Sequence, residues 1–374
     1  MKQIYLDYNA STPIAPEVRA AMLPYLEMDY GNPSALHFAS VGAKKAVEQA
    51  RGQVADLIGC SASEVIFTSG GSESNNHVLK GVWQTFRHRG NHIITTSIEH
   101  PAIINPCKYL EQQGAKVTYV GVDETGKVNP IEIANAITQE TILLSVMHSN
   151  NEVGTIQPIK EIGEIAKQHQ ILFHTDASQS VGKVPIDVNE LGVDFLTIAG
   201  HKVYAPKGVG ALFIRDGIDL EPFIHGAGHE GGKRAGTENV IFTVALGKAC
   251  EIAKDQMLEN ERIENLRNSF WEGLQALFGD QISLNGDLAN CLPNTLSVNF
   301  KDRIGQDVLG AIPSIAASNG SACHAGSVTL SNVLKAMSVK EEEGKGAIRF
   351  SLGRYTTKEE IEMALEMLQR AIRN

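Results

Sequence analysis

Short runs rich in Val, Ile, Thr and Phe alternate with helical patterns as far as Ile214, and this alternation limits the fold more than any other feature. The runs are Val65–Thr68, His92–Thr96, Lys116–Val120, Ile142–Met147, Ile171–Thr175, Phe195–Ile198 and Val209–Ile214. Most have the length and make-up of buried strands. Helical patterns lie between many of them, at Ser40–Ile58, Glu73–Arg87, Ala102–Gln113, Ile131–Ile137 and Ile159–His169. Strands that alternate with helices predict an α/β fold, a mostly parallel sheet covered on both faces. Such sheets bind ligands beyond the carboxyl ends of their strands, where Ser149–Asn151 and Asp176 fall.

After about residue 240 the rhythm changes. A long helical stretch, Phe242–Phe278, precedes short strands at Thr295–Phe300, Ser314–Ser318 and Ile348–Ser351, with helices at Ser331–Met337 and Lys358–Arg373. The expected organisation is a large α/β domain over 16–250 and a smaller α+β domain over 251–374. Residues 1–15 are expected to pack with the smaller one or to cross the cleft between the two. Glu341–Gly346 reads as a solvated, charged surface loop.

Composition narrows the classes. The chain of 374 residues carries 33 Lys and Arg against 43 Asp and Glu, a net charge of −10, which argues against binding nucleic acid through its phosphates. No apolar run approaches the ~20 residues of a membrane span, and the opening MKQIYLDYNASTP has no long apolar core of a signal peptide. The cysteines are Cys60, Cys107, Cys250, Cys291 and Cys323, an odd number without a Cys-x-x-Cys pair. A disulfide framework or zinc site is therefore not expected, and the cytoplasm is the expected compartment.

Three segments could carry chemistry. Thr68–Asn75 follows a strand and opens a helix. Gly70 and Gly71 permit a tight turn, and the helix start offers free N–H groups, with the Ser72 hydroxyl, to a phosphate. The plainer reading is a helix start capped by Ser69 or Ser72. Asp176 ends a strand, where a carboxylate needs a partner such as a protonated ring nitrogen, or else caps a turn. Lys202 follows another apolar strand; desolvation there would lower its pKa and free the amine for imine chemistry, unless the side chain reaches out to water. Phosphate cradle, aspartate and lysine together are the groups that pyridoxal phosphate requires.

The stretches YLDYNASTP, GNPSALH, FTSGGSESNN, TSIEHPA, MHSNNEVGTIQPI, HTDASQSVGK, AGHKVYAPKGVGAL, RAGTEN, SNGSACHAG and IRFSLGRYTTKEEI closely resemble the cysteine desulfurases, pyridoxal-phosphate enzymes of the aminotransferase class V superfamily. The resemblance runs in order over nearly the whole chain and implies the aminotransferase type I-like fold. It makes Lys202 the Schiff-base lysine, Asp176 the partner of the pyridine nitrogen and Gln179 the neighbour of the ring's phenolic oxygen. His100 matches the histidine stacked on the ring, Gly71, Ser72 and His201 match phosphate contacts, and Asn151 lies near cofactor and substrate. Thr237 matches a phosphate contact given by the other subunit, which implies a homodimer. Arg349 matches the residue that binds the substrate carboxylate, a task suited to a rigid two-pronged donor.

Cys323, in a small, polar stretch, matches the nucleophile, while the other four cysteines read as packed residues. The 26 residues from Cys323 to Arg349 match the long-loop class, which serves iron–sulfur assembly and thiolation. The implied activity converts L-cysteine to L-alanine, leaves a persulfide on Cys323 and passes its sulfur to an acceptor protein, an iron–sulfur scaffold or a tRNA-thiolation enzyme. Two positions depart from the family: Ala199 stands where it usually has serine, and His324 where the long-loop enzymes usually have Thr or Ser. A protonated His324 would lower the Cys323 pKa. The stretches Thr197–Lys202 and Ala322–His324 are also similar to selenocysteine lyases, the nearest alternative. A non-catalytic scaffold that kept the fold, and a lyase or transaminase without persulfide chemistry, are the other readings.

Overall fold

The computed structural model describes the backbone of residues 2–319, 321–324 and 327–373, and the side chains of these except 321–324, 327, 328 and 373. In chain order the strands are β1 (Ile4–Tyr5), β2 (Val65–Thr68), β3 (His92–Thr96), β4 (Lys116–Val120), β5 (Thr141–Ser145), β6 (Leu172–Asp176), β7 (Phe195–Ala199) and β8 (Gly210–Ile214). They continue with β9 (Ile282–Asn285), β10 (Thr295–Phe300), β11 (Ile315–Ala316), β12 (Ser318–Asn319), β13 (Ser321–His324), β14 (Ser327–Leu330) and β15 (Ala347–Ser351).

Seven strands form the principal sheet, in the order β2-β8-β7-β6-β5-β3-β4. The pairs among β4, β3, β5, β6 and β7 are parallel; β8 lies antiparallel between β7 and β2. The central strands are buried along their whole length, as the unbroken apolar runs require of a sheet covered on both faces. Helix Gly71–Phe86 lies against one face, its Val78, Leu79 and Val82 packed with Ile93, Leu143 and Leu212. The other face and helices Val41–Ile58 and Val240–Asp255 enclose the largest core, around Phe173, Phe213 and Leu246.

A second sheet, β12-β15-β10-β9, is antiparallel throughout. Helices Glu259–Phe278 and Lys358–Arg373 close its core around Phe270, Phe300 and Phe350. The N-terminal segment joins this part: β1 pairs in parallel with β11, and Ile4 and Leu6 enter the same core. The segment then runs to the principal sheet, where the Thr12 N–H donates to the His201 carbonyl and Ala15 joins the first core. Among the described residues no helix is long and apolar enough to cross a membrane.

Three expectations need correction. The stretch Phe242–Phe278 is two helices, broken between Asp255 and Glu259, because the first packs on helix Val41–Ile58 and the second on the smaller sheet. Glu341–Gly344 is a short helix, its Gly344 buried against Leu330, and not a wholly solvated loop. The loop expected around Cys323 has strand backbone at β12 and β13, with Cys323 opposite Val328 in a β13–β14 hairpin; the Cys323 side chain lies outside the described residues.

Candidate active site

A cavity of about 420 Å³ opens at the carboxyl ends of the principal strands, against the N-terminal segment and β15. Gly71, Ser72, His100, Asn151, Asp176, Gln179, His201, Lys202 and Arg349 all line it. A hollow of about 490 Å³ lies at the opposite end of the strands, around Thr138 and Leu172, and no carboxylate lines it.

Asp176 closes β6 and is buried. Its Oδ2 accepts from Asn75 Nδ2 at 2.6 Å, and its Oδ1 accepts the Ser178 N–H at 2.9 Å. The turn-capping reading is thus realised on one oxygen, while the carboxylate still borders the cavity. Gln179 is locked from both ends of its amide: Nε2 donates to the Asn9 carbonyl at 2.9 Å, and Oε1 accepts from Lys183 Nζ at 3.0 Å.

Lys202 follows β7 in a short helical turn. Its Nζ donates to the carbonyls of Asn9 and Ala10, so it lies across the cavity wall instead of reaching out to water. Burial brings its pKa down to about 8; the charge of Arg349 acts in the same direction, against Asp176 and Asp7. His100 caps the helix Pro101–Gln112, with Nδ1 accepting the Ala102 N–H at 3.1 Å, which leaves the proton of the neutral ring on Nε2. Burial lowers its pKa, and the charge of Asp176 opposes the shift.

Helix Gly71–Phe86 begins without a side-chain cap. Neither Ser69 nor Ser72 fills that role; the Glu73 carboxylate instead accepts the Ser69 N–H at 2.9 Å and is held by Arg234 at 2.9 Å. A Cβ on Gly71 would come within 3.0 Å of Ser178 Oγ, so the absence of a side chain leaves a hollow over the helix start. The Nδ1 of His201 is buried without a partner, and burial takes this ring's pKa down to about 4.

Arg349, on β15, is nearly buried and heavily tied. Its Nη2 donates to Asp7 Oδ1 at 2.6 Å and Ser318 Oγ at 2.8 Å, and its Nη1 to the Asn151 carbonyl at 2.9 Å, while Nε is buried with no partner among the described residues. Thr237 is exposed, on the loop before helix Val240–Asp255, and does not line this cavity. Cys107, Cys250 and Cys291 are buried and Cys60 half-buried; burial pushes the first two and Cys60 up to about 12, and Cys291 to about 11.

The structure adds Asn9, Ala10, Asn75 and Ser178 to the wall. Asn9 Nδ2 donates to Thr295 Oγ1 at 2.8 Å, and its Oδ1 accepts from Lys183 and Asn294. The available signal for Asn9 was a polar run, Asn-Ala-Ser-Thr, separated by two residues from the apolar Ile4–Leu6; for Ser178 it was its place one residue before Gln179.

An amine, a buried carboxylate and an open helix start thus meet at one strand-end cavity of an α/β sheet. The aminotransferase class-V model matches residues 4–364, and the chain belongs to that family. Its relatives include the cysteine desulfurase IscS of Dictyoglomus turgidum, 46% identical over 99% of this chain and 95% of the relative. The cysteine desulfurase IscS of Escherichia coli is 43% identical over 99% and 92%. Among solved structures, a NifS-like protein superposes with a TM-score of 0.94 at 38% identity, covering 99% of both chains. SspA in complex with cysteine gives 0.81 at 39% identity, covering 95% of this chain and 100% of that one.

Proposed function

We propose that this protein is a pyridoxal-phosphate-dependent cysteine desulfurase of the cytoplasm, acting as a homodimer. It converts L-cysteine to L-alanine and hands the sulfur, held as a persulfide on Cys323, to an acceptor protein in iron–sulfur assembly or tRNA thiolation. The observation that carries this reading is one cavity lined by the Lys202 amine, the Asp176 carboxylate and an uncapped helix start, in a chain whose relatives are cysteine desulfurases. The cofactor fits the donors present: the hollow over Gly71 and the unpartnered His201 Nδ1 suit its phosphate, and Asp176 suits its ring nitrogen. When bound, pyridoxal phosphate supplies an aldehyde and an electron-poor ring that stabilises negative charge on the substrate's α-carbon.

In this reading Asp176 would hold the ring nitrogen in its protonated form, and Gln179, fixed by Asn9 and Lys183, would be a further residue to hold the ring. Lys202, with its pKa near 8, is in part the free amine at neutral pH and can take and return a proton at the α-carbon. His100, which lines the cavity and whose pKa burial lowers, would pack against the ring and is the second candidate to move that proton. Arg349, oriented by Asp7 and with Nε unspent, binds the substrate carboxylate beside Asn151. The Cys323 thiolate forms an S–S bond with the substrate sulfur as the substrate's C–S bond breaks; the electron pair left on carbon takes a proton, giving alanine. Thr237 serves the partner subunit's phosphate site, and two lobes, 16–250 and 251–374, meet at the cavity with residues 1–15 between them.

Two variants test the reading. Lys202→Ala should lose both the visible absorbance of the loaded protein and turnover. Cys323→Ala should keep the absorbance but gain no sulfur atom on incubation with L-cysteine, read by intact mass. Sulfur delivery by Cys323→Ala at the normal rate would overturn the nucleophile assignment.

A further inference from the structure

We infer that Ser178 supplies a side-chain hydroxyl to the cofactor phosphate, from the wall of the cradle where Ala199 presents only a methyl group. The inference rests on the cofactor assigned above. The hollow over Gly71 is bounded by three side-chain atoms: from the position a Cβ would take, Ser178 Oγ is 3.0 Å away, Ala199 Cβ 3.4 Å and Thr197 Cγ2 3.6 Å. Two of these are methyl carbons, and the hydroxyl is that of Ser178. Ser178, Ala199 and His201 line the same cavity as Gly71 and Ser72.

Two neighbouring hydroxyls, those of Thr197 and Ser74, are engaged elsewhere. Thr197 Oγ1 is hydrogen-bonded to His174 Nε2 at 3.1 Å. Ser74 Oγ meets Thr68 Oγ1 at 2.9 Å and the Ala211 carbonyl at 3.3 Å. Ser178, by contrast, spends its backbone N–H on Asp176, and that bond fixes the turn that delivers its side chain to the cradle. The same turn therefore presents both a carboxylate and a hydroxyl to the cavity.

Two further atoms point to a polar occupant. His201 Nδ1 and Asn75 Oδ1 are both buried in residues that line this cavity, and neither has a partner among the described residues. Asn75 as a residue is only 1% exposed. Buried polar atoms left unpaired are costly, so a bound anion that accepts from His201 Nδ1 is favoured, while Asn75 Oδ1, an acceptor, asks for a donor elsewhere on the bound molecule. A phosphate at the helix start draws on the backbone N–H groups first, and a hydroxyl donor at its side adds a charge-assisted hydrogen bond.

The test titrates apo protein with pyridoxal 5′-phosphate and, separately, with pyridoxal, which lacks the phosphate, following absorbance and tryptophan fluorescence. Ser178→Ala should raise the Kd for pyridoxal phosphate by about tenfold or more, the weight of a hydrogen bond to a charged group, and leave the Kd for pyridoxal within about twofold. Ser178→Thr, which keeps the hydroxyl, should bind as the wild type does. Adding Ala199→Ser to Ser178→Ala should recover most of the loss, because position 199 borders the same hollow, its Cβ 3.4 Å from the place a Gly71 Cβ would take. Equal thermal unfolding of the apo proteins checks that the fold is intact. Normal capture of pyridoxal phosphate by Ser178→Ala overturns this inference alone, as does an equal loss for both aldehydes, which would assign Ser178 to the Asp176 end. A wild type that captures neither aldehyde overturns the cofactor assignment and this inference with it.

Discussion

The Lys202 amine donates to the main-chain carbonyl of Asn9, and the same carbonyl accepts the Gln179 amide. Asn9 thereby joins two residues at the ends of neighbouring principal strands through an oxygen that belongs to neither. Its side chain reaches the other way, to Thr295 on β10 and to Asn294, and its N–H donates to Ser351 Oγ on β15. The N-terminal segment is thus a polar seam between the two sheets, and the amine is set by a backbone atom whose position depends on both.

Asn9→Ala should separate these two functions. The main-chain carbonyl survives, so the Lys202 and Gln179 contacts have their acceptor. The side-chain bonds to Thr295, Asn294 and Lys183 do not, and buried polar partners are left unpaired, at a cost of about 2–3 kcal/mol. The expected result is a lower urea midpoint for the apo protein with the visible absorbance of the loaded protein retained. Unchanged stability would show that the seam contributes nothing.

The depressed pKa of Lys202 predicts a pH profile for cofactor capture. Only the free amine attacks an aldehyde, and the free fraction climbs about tenfold per pH unit below the pKa and levels off above it. With the amine near 8, the capture rate of apo protein should rise steeply from acidic pH and flatten above about pH 8.5. Stopped-flow absorbance measures it. A rate still climbing beyond about pH 9.5 would mean an ordinary, solvated lysine.

Much of this architecture was legible because fully buried strands leave unbroken apolar runs. β2, β3 and β4 coincide with the expected limits, and β5 to β8 lie within two residues of them. Pairing was not legible: the run at Gly210–Ile214 gives no sign that it inserts antiparallel between β7 and β2, since nothing in a two-sided apolar strand encodes its neighbours. The helix break near Gln256 was hidden because no Gly or Pro marks it, and Met257 and Leu258 prolong the apolar pattern although Leu258 is 85% exposed. Lys202, Asp176 and Arg349 were readable from their stretches. Asn9, Asn75 and Ser178 were not, because their parts depend on which chain segments meet at one cavity.

If Arg349 binds the substrate carboxylate as proposed, it does so with a planar guanidinium that a lysine cannot reproduce. Asp7 and Ser318 fix Nη2, the Asn151 carbonyl fixes Nη1, and Nε remains free. Arg349→Lys keeps the charge and loses the planar fork, so KM for L-cysteine should rise roughly ten- to hundredfold, with kcat altered much less. Asp7→Asn should move KM in the same direction by a smaller factor, since the guanidinium loses its charged anchor. Steady-state kinetics with alanine as the measured product decides it, and an unchanged KM in Arg349→Lys would remove this residue from substrate binding.

Glu99, directly before His100, predicts a pH-dependent stability. It is buried; Oε1 accepts from Thr96 Oγ1 and the Met147 N–H, both at 2.8 Å, while Oε2 has no partner. Burial pushes its pKa up to about 8, against an ordinary value of 4.5. The folded protein therefore binds a proton that the unfolded chain releases between those values. The stabilisation is complete below about pH 4.5, falls as the pH rises through 8, and its full loss amounts to about 4–5 kcal/mol. Glu99→Gln keeps the shape and the accepted bonds without an ionisable proton. Its unfolding free energy should match the wild type near pH 5 and exceed it by a growing margin up to about pH 8.5, measured by urea unfolding of the apo proteins. A difference that stays constant over that range would mean that Glu99 is ionised in the folded protein.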